Sequence, residues 1–166
     1  MKIKRIICRH IINKYLCCTR FFSLKRKLLK WAGLQIGQNV RVVGPLYFSN
    51  VSQISIGNNA WIGENFNVDG NGDVYIGDNV DIAPHVVINT GGHIVGSSNH
   101  RAGECIRNIV KIGNGTWICT RVTIVNQVTI GNGCVVAAGS VVISDVEDNL
   151  MVAGVPAITK KSLKLE

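Results

Sequence analysis

From Leu34 onward the chain repeats itself every six residues. Aliphatic residues open units at Ile36 and Val42, at Ile56, Ile62 and Val68, at Ile76, Ile82 and Ile88, and again at Ile112, Ile118, Ile124, Ile130, Val136 and Val142. A small residue follows many of them, as at Gly37, Gly57, Gly77, Ala83, Gly113 and Gly131, and Asn or Asp crowds the next positions. A six-residue period suits a strand of two or three residues followed by a corner. The leading aliphatic points inward, and Gly, Asn and Asp tolerate the dihedrals of the corner. Three units close a triangular coil of about eighteen residues, and coils stack with strands paired in parallel along each face. The openings at Ile36, Ile56 and Ile76 are twenty apart. Small insertions near 49–53 and 70–75 are therefore expected as corner bulges. The pattern predicts an all-β solenoid, a parallel β-helix over residues 34–158.

Two segments depart from this rhythm. Residues 3–31 carry apolar positions at three- and four-residue steps, through Ile3, Ile7, Ile11, Tyr15, Cys18 and Phe22, then Leu24, Leu28 and Trp31. This is the spacing of a helix with one apolar stripe, here set among basic residues. The second departure is INTGGHIVGSSNHRAGE at 88–104. The phase survives, since Ile94 and Ile112 are one coil apart. But His100 falls on an opening position, and Gly96, Ser97, Ser98 and Asn99 cannot pack a core. Residues 94–110 are expected to loop out of the solenoid and return. Long polar loops in compact repeats carry function.

Charge sharpens the division. The chain of 166 residues has a formal net charge of +8, but residues 1–34 hold ten Lys/Arg and no acid. The remainder is slightly acidic, so no nucleic-acid partner is expected for the body. The helical segment, 1–33, either packs on the body or a neighbouring subunit, or rests on an anionic membrane surface. It has no cleavable leader pattern and is too charged to span a bilayer. The six cysteines form no CxxC pair and read as reduced thiols of a cytoplasmic protein.

The stretches IGNGTWI at 112–118, VTIGNGCVVAAGSVV at 128–142 and VAGVPA at 152–157 resemble the C-terminal half of hexapeptide-repeat acyltransferases. The group in question includes the maltose, galactoside and polysaccharide O-acetyltransferases and their xenobiotic-acetyltransferase relatives. The resemblance spans roughly residues 34–161. It implies a left-handed solenoid, a homotrimer with active sites between subunits, and acetyl-CoA as donor with no metal required. It also implies a catalytic base where the loop leaves the coil, here His93 after Asn89-Thr90-Gly91-Gly92. A neutral imidazole nitrogen would take the proton of an acceptor hydroxyl, which then attacks the thioester. A backbone carbonyl or a carboxylate must fix its tautomer.

By the same resemblance Asn67 and Asp69 face the acceptor, and Arg101, in an Arg-Ala-Gly triplet, belongs to the acceptor loop. The segment after Asp69 is shorter than in the sugar enzymes. Trp117, Ala138, Gly139 and Ser140 would line the pantetheine groove, Pro156 would lie against adenine, and Lys160 and Lys161, in a tail over 159–166, would meet the CoA phosphates. The implied acceptor is a sugar or glycan of a surface polysaccharide, with the enzyme cytoplasmic or peripheral on the inner face of the membrane. The alternatives are an antibiotic, xenobiotic or small-molecule acceptor, a non-catalytic trimeric scaffold, and a zinc enzyme using His85, His93 and His100. The spacing of those histidines does not match stacking at one coil.

Overall fold

The computed structural model describes residues 2–125 and 127–163. Two helices, α1 (Lys2–Tyr15) and α2 (Phe22–Trp31), precede a stack of three-sided coils. The first coil is β1 (Gln35–Ile36), β2 (Arg41–Val42) and β3 (Leu46–Phe48). The second is β4 (Ile54–Ile56), β5 (Trp61–Ile62) and β6 (Phe66–Asp69), and the third β7 (Val74–Ile76), β8 (Asp81–Ile82) and β9 (Val87–Asn89). A hairpin, β10 (Gly91–Val95) and β11 (Ala102–Arg107), then leaves the stack. The fourth coil is β12 (Val110–Ile112), β13 (Trp117–Ile118) and β14 (Thr123–Val125), and the fifth β15 (Val128–Ile130), β16 (Val135–Val136) and β17 (Val141–Val142). An incomplete sixth coil contributes β18 (Leu150–Ala153), and β19 (Ile158–Ser162) follows it.

Strands pair in parallel along each face. The first face runs β1-β4-β7-β12-β15, and the third runs β3-β6-β9-β14-β17. The second runs β2-β5-β8-β13-β16-β18, closed by antiparallel β19. Register joins Ile36 to Ile56, Ile56 to Ile76, Ile76 to Ile112 and Ile112 to Ile130. The expected twenty-residue steps are present, with the extra residues at the corner after the third face. The hairpin occupies one coil's length between Ile76 and Ile112, so the stack passes it without a phase slip.

Two ladders hold the stack. The inner one is aliphatic: each opening residue of a hexad is buried, with Ile62, Ile82, Ile118 and Ile124 wholly so. The outer one runs up the corner between the first and second faces. Backbone N–H groups of Gln38, Asn58, Asp78, Asn114 and Asn132 donate to the side-chain oxygens of Asn58, Asp78, Asn114, Asn132 and Asp148, one coil on. The next corner position turns with positive φ, at Asn39, Asn59, Asn79, Gly115, Gly133 and Asn149. Asn79 has φ 56° and accepts the Asn59 amide at 3.1 Å. Asn79→Ala should therefore cost about 1–2 kcal/mol in urea unfolding, and Asn79→Gly distinctly less.

The helices correct the expected stripe. There are two of them, broken at 16–21, and most of the predicted apolar face is outward. Ile3, Ile7, Tyr15, Leu24 and Trp31 are exposed, whereas Arg5, Cys8, Ile12, Lys25 and Leu29 are buried. The reason lies at the open end of the stack, where the first coil has no strand beneath it. Its free carbonyls must be satisfied. Arg5 donates to Ser49 O at 3.0 Å and Ser52 O at 2.7 Å, Lys25 to Val43 O at 3.0 Å, and Arg26 to Val40 O at 3.2 Å. Asn13 bonds both the carbonyl and the amide of Leu46, and Arg9 donates to Phe48 O. Desolvation, aided for Arg5 by Arg9, lowers the pKa of Arg5 and Lys25. The helices thus cap the solenoid with cations.

Two boundaries also move. The expected tail at 159–166 begins as β19, whose residues Lys161 and Thr159 pair with Met151 and Val152; residues 164–166 lie outside the described residues. The expected loop at 94–110 is an ordered hairpin, already paired at Gly91–Arg107, and Val110 is back in the core.

Candidate active site

The hairpin springs from the end of β9, at the corner between the third and first faces. Thr90 anchors its base: the buried hydroxyl donates to Asp69 O at 2.8 Å and accepts from Gly72 N–H at 3.0 Å. No side chain fits at Gly72, where a Cβ would lie 1.7 Å from Asn108 O. Arg107 pairs with Asp73 at 2.7 Å across the same corner. Burial works to raise the Asp73 pKa, but the Gln53 N–H and the Arg107 guanidinium outweigh it and hold the carboxyl below its usual 3.8. A depressed carboxylate stabilises fully above its unfolded value, and that support is lost as pH falls through the folded value. Protection of the Gly92 and His93 amides from hydrogen exchange, measured against the free-peptide rate at each pH, should therefore fall on acidification below about pH 4, and Asp73→Ala should show the same loss of protection at neutral pH.

His93 stands on β10 opposite Cys105 of β11. Its Nδ1 is 2.8 Å from Gly103 O and 3.7 Å from the Cys105 sulfur. A carbonyl only accepts, so Nδ1 carries the proton and the Nε2 lone pair is free. The expected orienting group is thus a backbone carbonyl, supplied by the returning strand. His93 lines a cavity of about 450 Å³ with Asn71, Asn89, Cys105 and the Gly70, Gly91 and Gly92 backbone. A larger cavity, about 600 Å³ beside Tyr75, Lys111 and Thr129 on the first face, contains none of the candidate residues.

Asn67 and Asp69 lie on β6, the strand paired with β9, their side chains joined at 2.8 Å. Asp69 is in register with Asn89, which connects it to the His93 cavity. The Asn67 Oδ1 is buried without a partner among the described residues. Arg101 sits at the hairpin's far end, donating to Gly96 O at 3.2 Å, exposed and away from the cavity base. Asn71, Asn89 and Cys105 were not singled out from sequence. The antiparallel register sets Cys105 across from His93, while Asn89 ends β9 and Asn71 follows Gly70, whose backbone meets Gly91 at the neighbouring coil's corner.

The donor candidates gather elsewhere. Trp117 is exposed on the second face, in register with Val135. Ala138 and Gly139 form the exposed corner leading into β17, with Gly139 at φ 71° and open space where a Cβ would point. Ser140 is buried, and its hydroxyl accepts the Gly154 N–H at 3.1 Å. Pro156 is exposed at the same corner one coil on, and Lys160 and Lys161 are exposed on β19. In one chain, the Ala138–Gly139 corner and His93 stand at opposite edges of the third face, with Trp117, Lys160 and Lys161 on the second. His85, His93 and His100 do not converge, and no three metal-ligating side chains cluster among the described residues.

Comparison with known proteins gives the same outline. The bacterial transferase hexapeptide model, six repeats, matches residues 109–144. A galactoside O-acetyltransferase of Escherichia coli K12 is 39% identical over 132 residues, 80% of this chain and 65% of its own length. A putative colanic acid biosynthesis acetyltransferase of the same strain is 30% identical, over 79% of this chain and 70% of its own. A solved galactoside acetyltransferase in complex with coenzyme A superposes with a TM-score of 0.85 at 33% identity, over 98% of this chain and 82% of that one. The chain belongs to the hexapeptide-repeat acyltransferase family. The chain spans just under two thirds of the length of the galactoside enzyme of Escherichia coli. Its family-model match falls on the fourth and fifth coils, where Trp117 and the Ala138–Gly139 corner lie.

Proposed function

We propose that the chain is an acetyl-CoA-dependent O-acetyltransferase acting on a sugar hydroxyl, with His93 as general base. The observation that carries this reading is the Nδ1 contact to Gly103 O, which leaves Nε2 basic at the mouth of an amide-lined cavity. Nε2 takes the acceptor's hydroxyl proton while the oxygen attacks the acetyl carbonyl. The C–S bond then breaks, and the imidazolium returns the proton to the CoA thiolate. Asn67, Asp69 and Arg101 would contact the acceptor. Trp117, Ala138, Gly139, the Ser140 backbone, Pro156, Lys160 and Lys161 would hold CoA.

The separation of these two groups across the third face supports a homotrimer, in which one copy's donor corner meets the next copy's hairpin. The likeness to a CoA-bound structure supports the donor. Six free thiols suit a cytoplasmic place, where acetyl-CoA is at hand. Two acceptors have support among relatives: a polysaccharide unit, from the colanic acid enzyme, and a small free galactoside, from the galactoside enzyme. Thiol release from acetyl-CoA, run against galactosides, lipid-linked oligosaccharides and hydroxylated antibiotics, separates them. Release with a sugar acceptor and a product heavier by one acetyl group is expected. Release with antibiotics alone would replace the sugar reading, and CoA binding without release on any acceptor would reject the panel's chemistry.

A further inference from the structure

We propose that the outer surface of the two-helix cap docks on an anionic lipid bilayer. The helices are inverted relative to an ordinary surface helix. Arg5 and Lys25 point into the protein, and the opposite pole carries Ile3 (68% exposed), Ile6 (50%), Ile7 (42%), Leu24 (46%) and Trp31 (45%). Since the buried poles contact the first coil, the apolar poles face away from the end of the prism. Lys4 lies over the Trp31 ring at 5.4 Å, so the two poles are continuous. Single exposed apolar residues are ordinary, but a cluster on one end of a protein marks an interaction surface.

Its charge names the occupant. Lys2, Lys4, Lys14, Arg20, Lys27 and Lys30 surround the isoleucines and are exposed. No acidic residue occurs before Glu64. An apolar pole rimmed by cations with no anion fits an anionic headgroup layer, with the isoleucines in the acyl boundary. A second copy of this surface would bring like charges together. In a trimer, three caps would face one way and add their binding. Neither helix is long enough to cross a membrane, so the contact is peripheral. The third coil, with His93, stands two strand spacings, about 10 Å, above the first. With the cap's own thickness of about 10 Å added, His93 stands about 20 Å from the bilayer surface, within reach of a glycan of a few sugars carried on a lipid.

The test is sedimentation of the full chain with phosphatidylcholine vesicles and with vesicles also containing phosphatidylglycerol. Binding to the anionic vesicles at low salt is expected, with at least a roughly ten-fold loss in high salt. A similar loss is expected for Ile3→Glu/Ile7→Glu, and separately for Leu24→Glu on the other helix. Acetyl transfer to a soluble acceptor should be unchanged in both variants. No binding at low salt, or binding indifferent to the substitutions, would overturn the proposal. So would a doubling of mass in light scattering that the variants abolish, which would assign the surface to a second copy. The assay contains no acetyl-CoA, so its failure leaves the acetyl-transfer reading standing, and the reverse holds.

Discussion

His93→Ala is expected to lower kcat about 10³-fold, within the range a positioned general base contributes. CoA affinity should stay within about two-fold, because the proposed donor contacts are made by Trp117, Ala138, Gly139, Ser140, Pro156, Lys160 and Lys161 and not by His93. The hairpin should keep its shape. Its register is set by four residue pairs between its arms and by Thr90 and Arg107 at its base, and the His93 side chain is exposed. The check is a side-by-side measurement of thiol release and of CoA binding by calorimetry. Unchanged turnover in the variant would remove His93 from the chemistry. Loss of CoA binding together with turnover would mean that His93 supports the donor site instead.

Ile124→Ala should cost about 2–5 kcal/mol of unfolding free energy. Ile124 is wholly buried between Ile88 and Val142, in the middle of the stack, where no loop end is free to collapse into the vacated space. Its neighbour Thr123, on the outward side of the same strand, should tolerate alanine within about 0.5 kcal/mol. Urea denaturation at one fixed protein concentration measures both, since oligomer stability varies with concentration. Equal costs at the two positions would contradict the inward–outward alternation on which the solenoid rests.

The hexads were legible because each opening residue is read by the same environment, coil after coil. Ile36, Ile56, Ile76, Ile112 and Ile130 form one register ladder, so the sequence period and the spatial one coincide. That the chain leaves the stack near His93 was legible for the opposite reason, as a failure of that period, although the exit was expected at residue 94 and the hairpin begins at Gly91. The helices misled because the stripe rule assumes an apolar underside. Here the underside is a row of unpaired carbonyls, which cations satisfy and isoleucines cannot. The hairpin was hidden by its composition: Gly92 and Gly103 carry no alternation, yet each faces the opposite arm, where a Cβ would lie 3.2 Å from Ile106 and 2.8 Å from Ile94 O, so their lack of side chains lets Gly103 O reach His93. Cys105 comes to the cavity only through that pairing, and Asn71 through the stacking of one corner on the next. The donor corner was found through resemblance alone, since Ala138, Gly139 and Pro156 are ordinary turn residues by any local rule.

The most direct measurement is complementation. His93→Ala would be co-expressed with Ala138→Trp, a variant whose donor corner is filled, each chain carrying a different tag. Each variant alone should be inactive. Mixed trimers, isolated through both tags, should recover about a third of wild-type acetyl transfer, because one of the three sites in each then pairs an intact His93 with an intact donor corner from the neighbouring copy. Mixed trimers that are assembled but silent would contradict an active site shared between two copies.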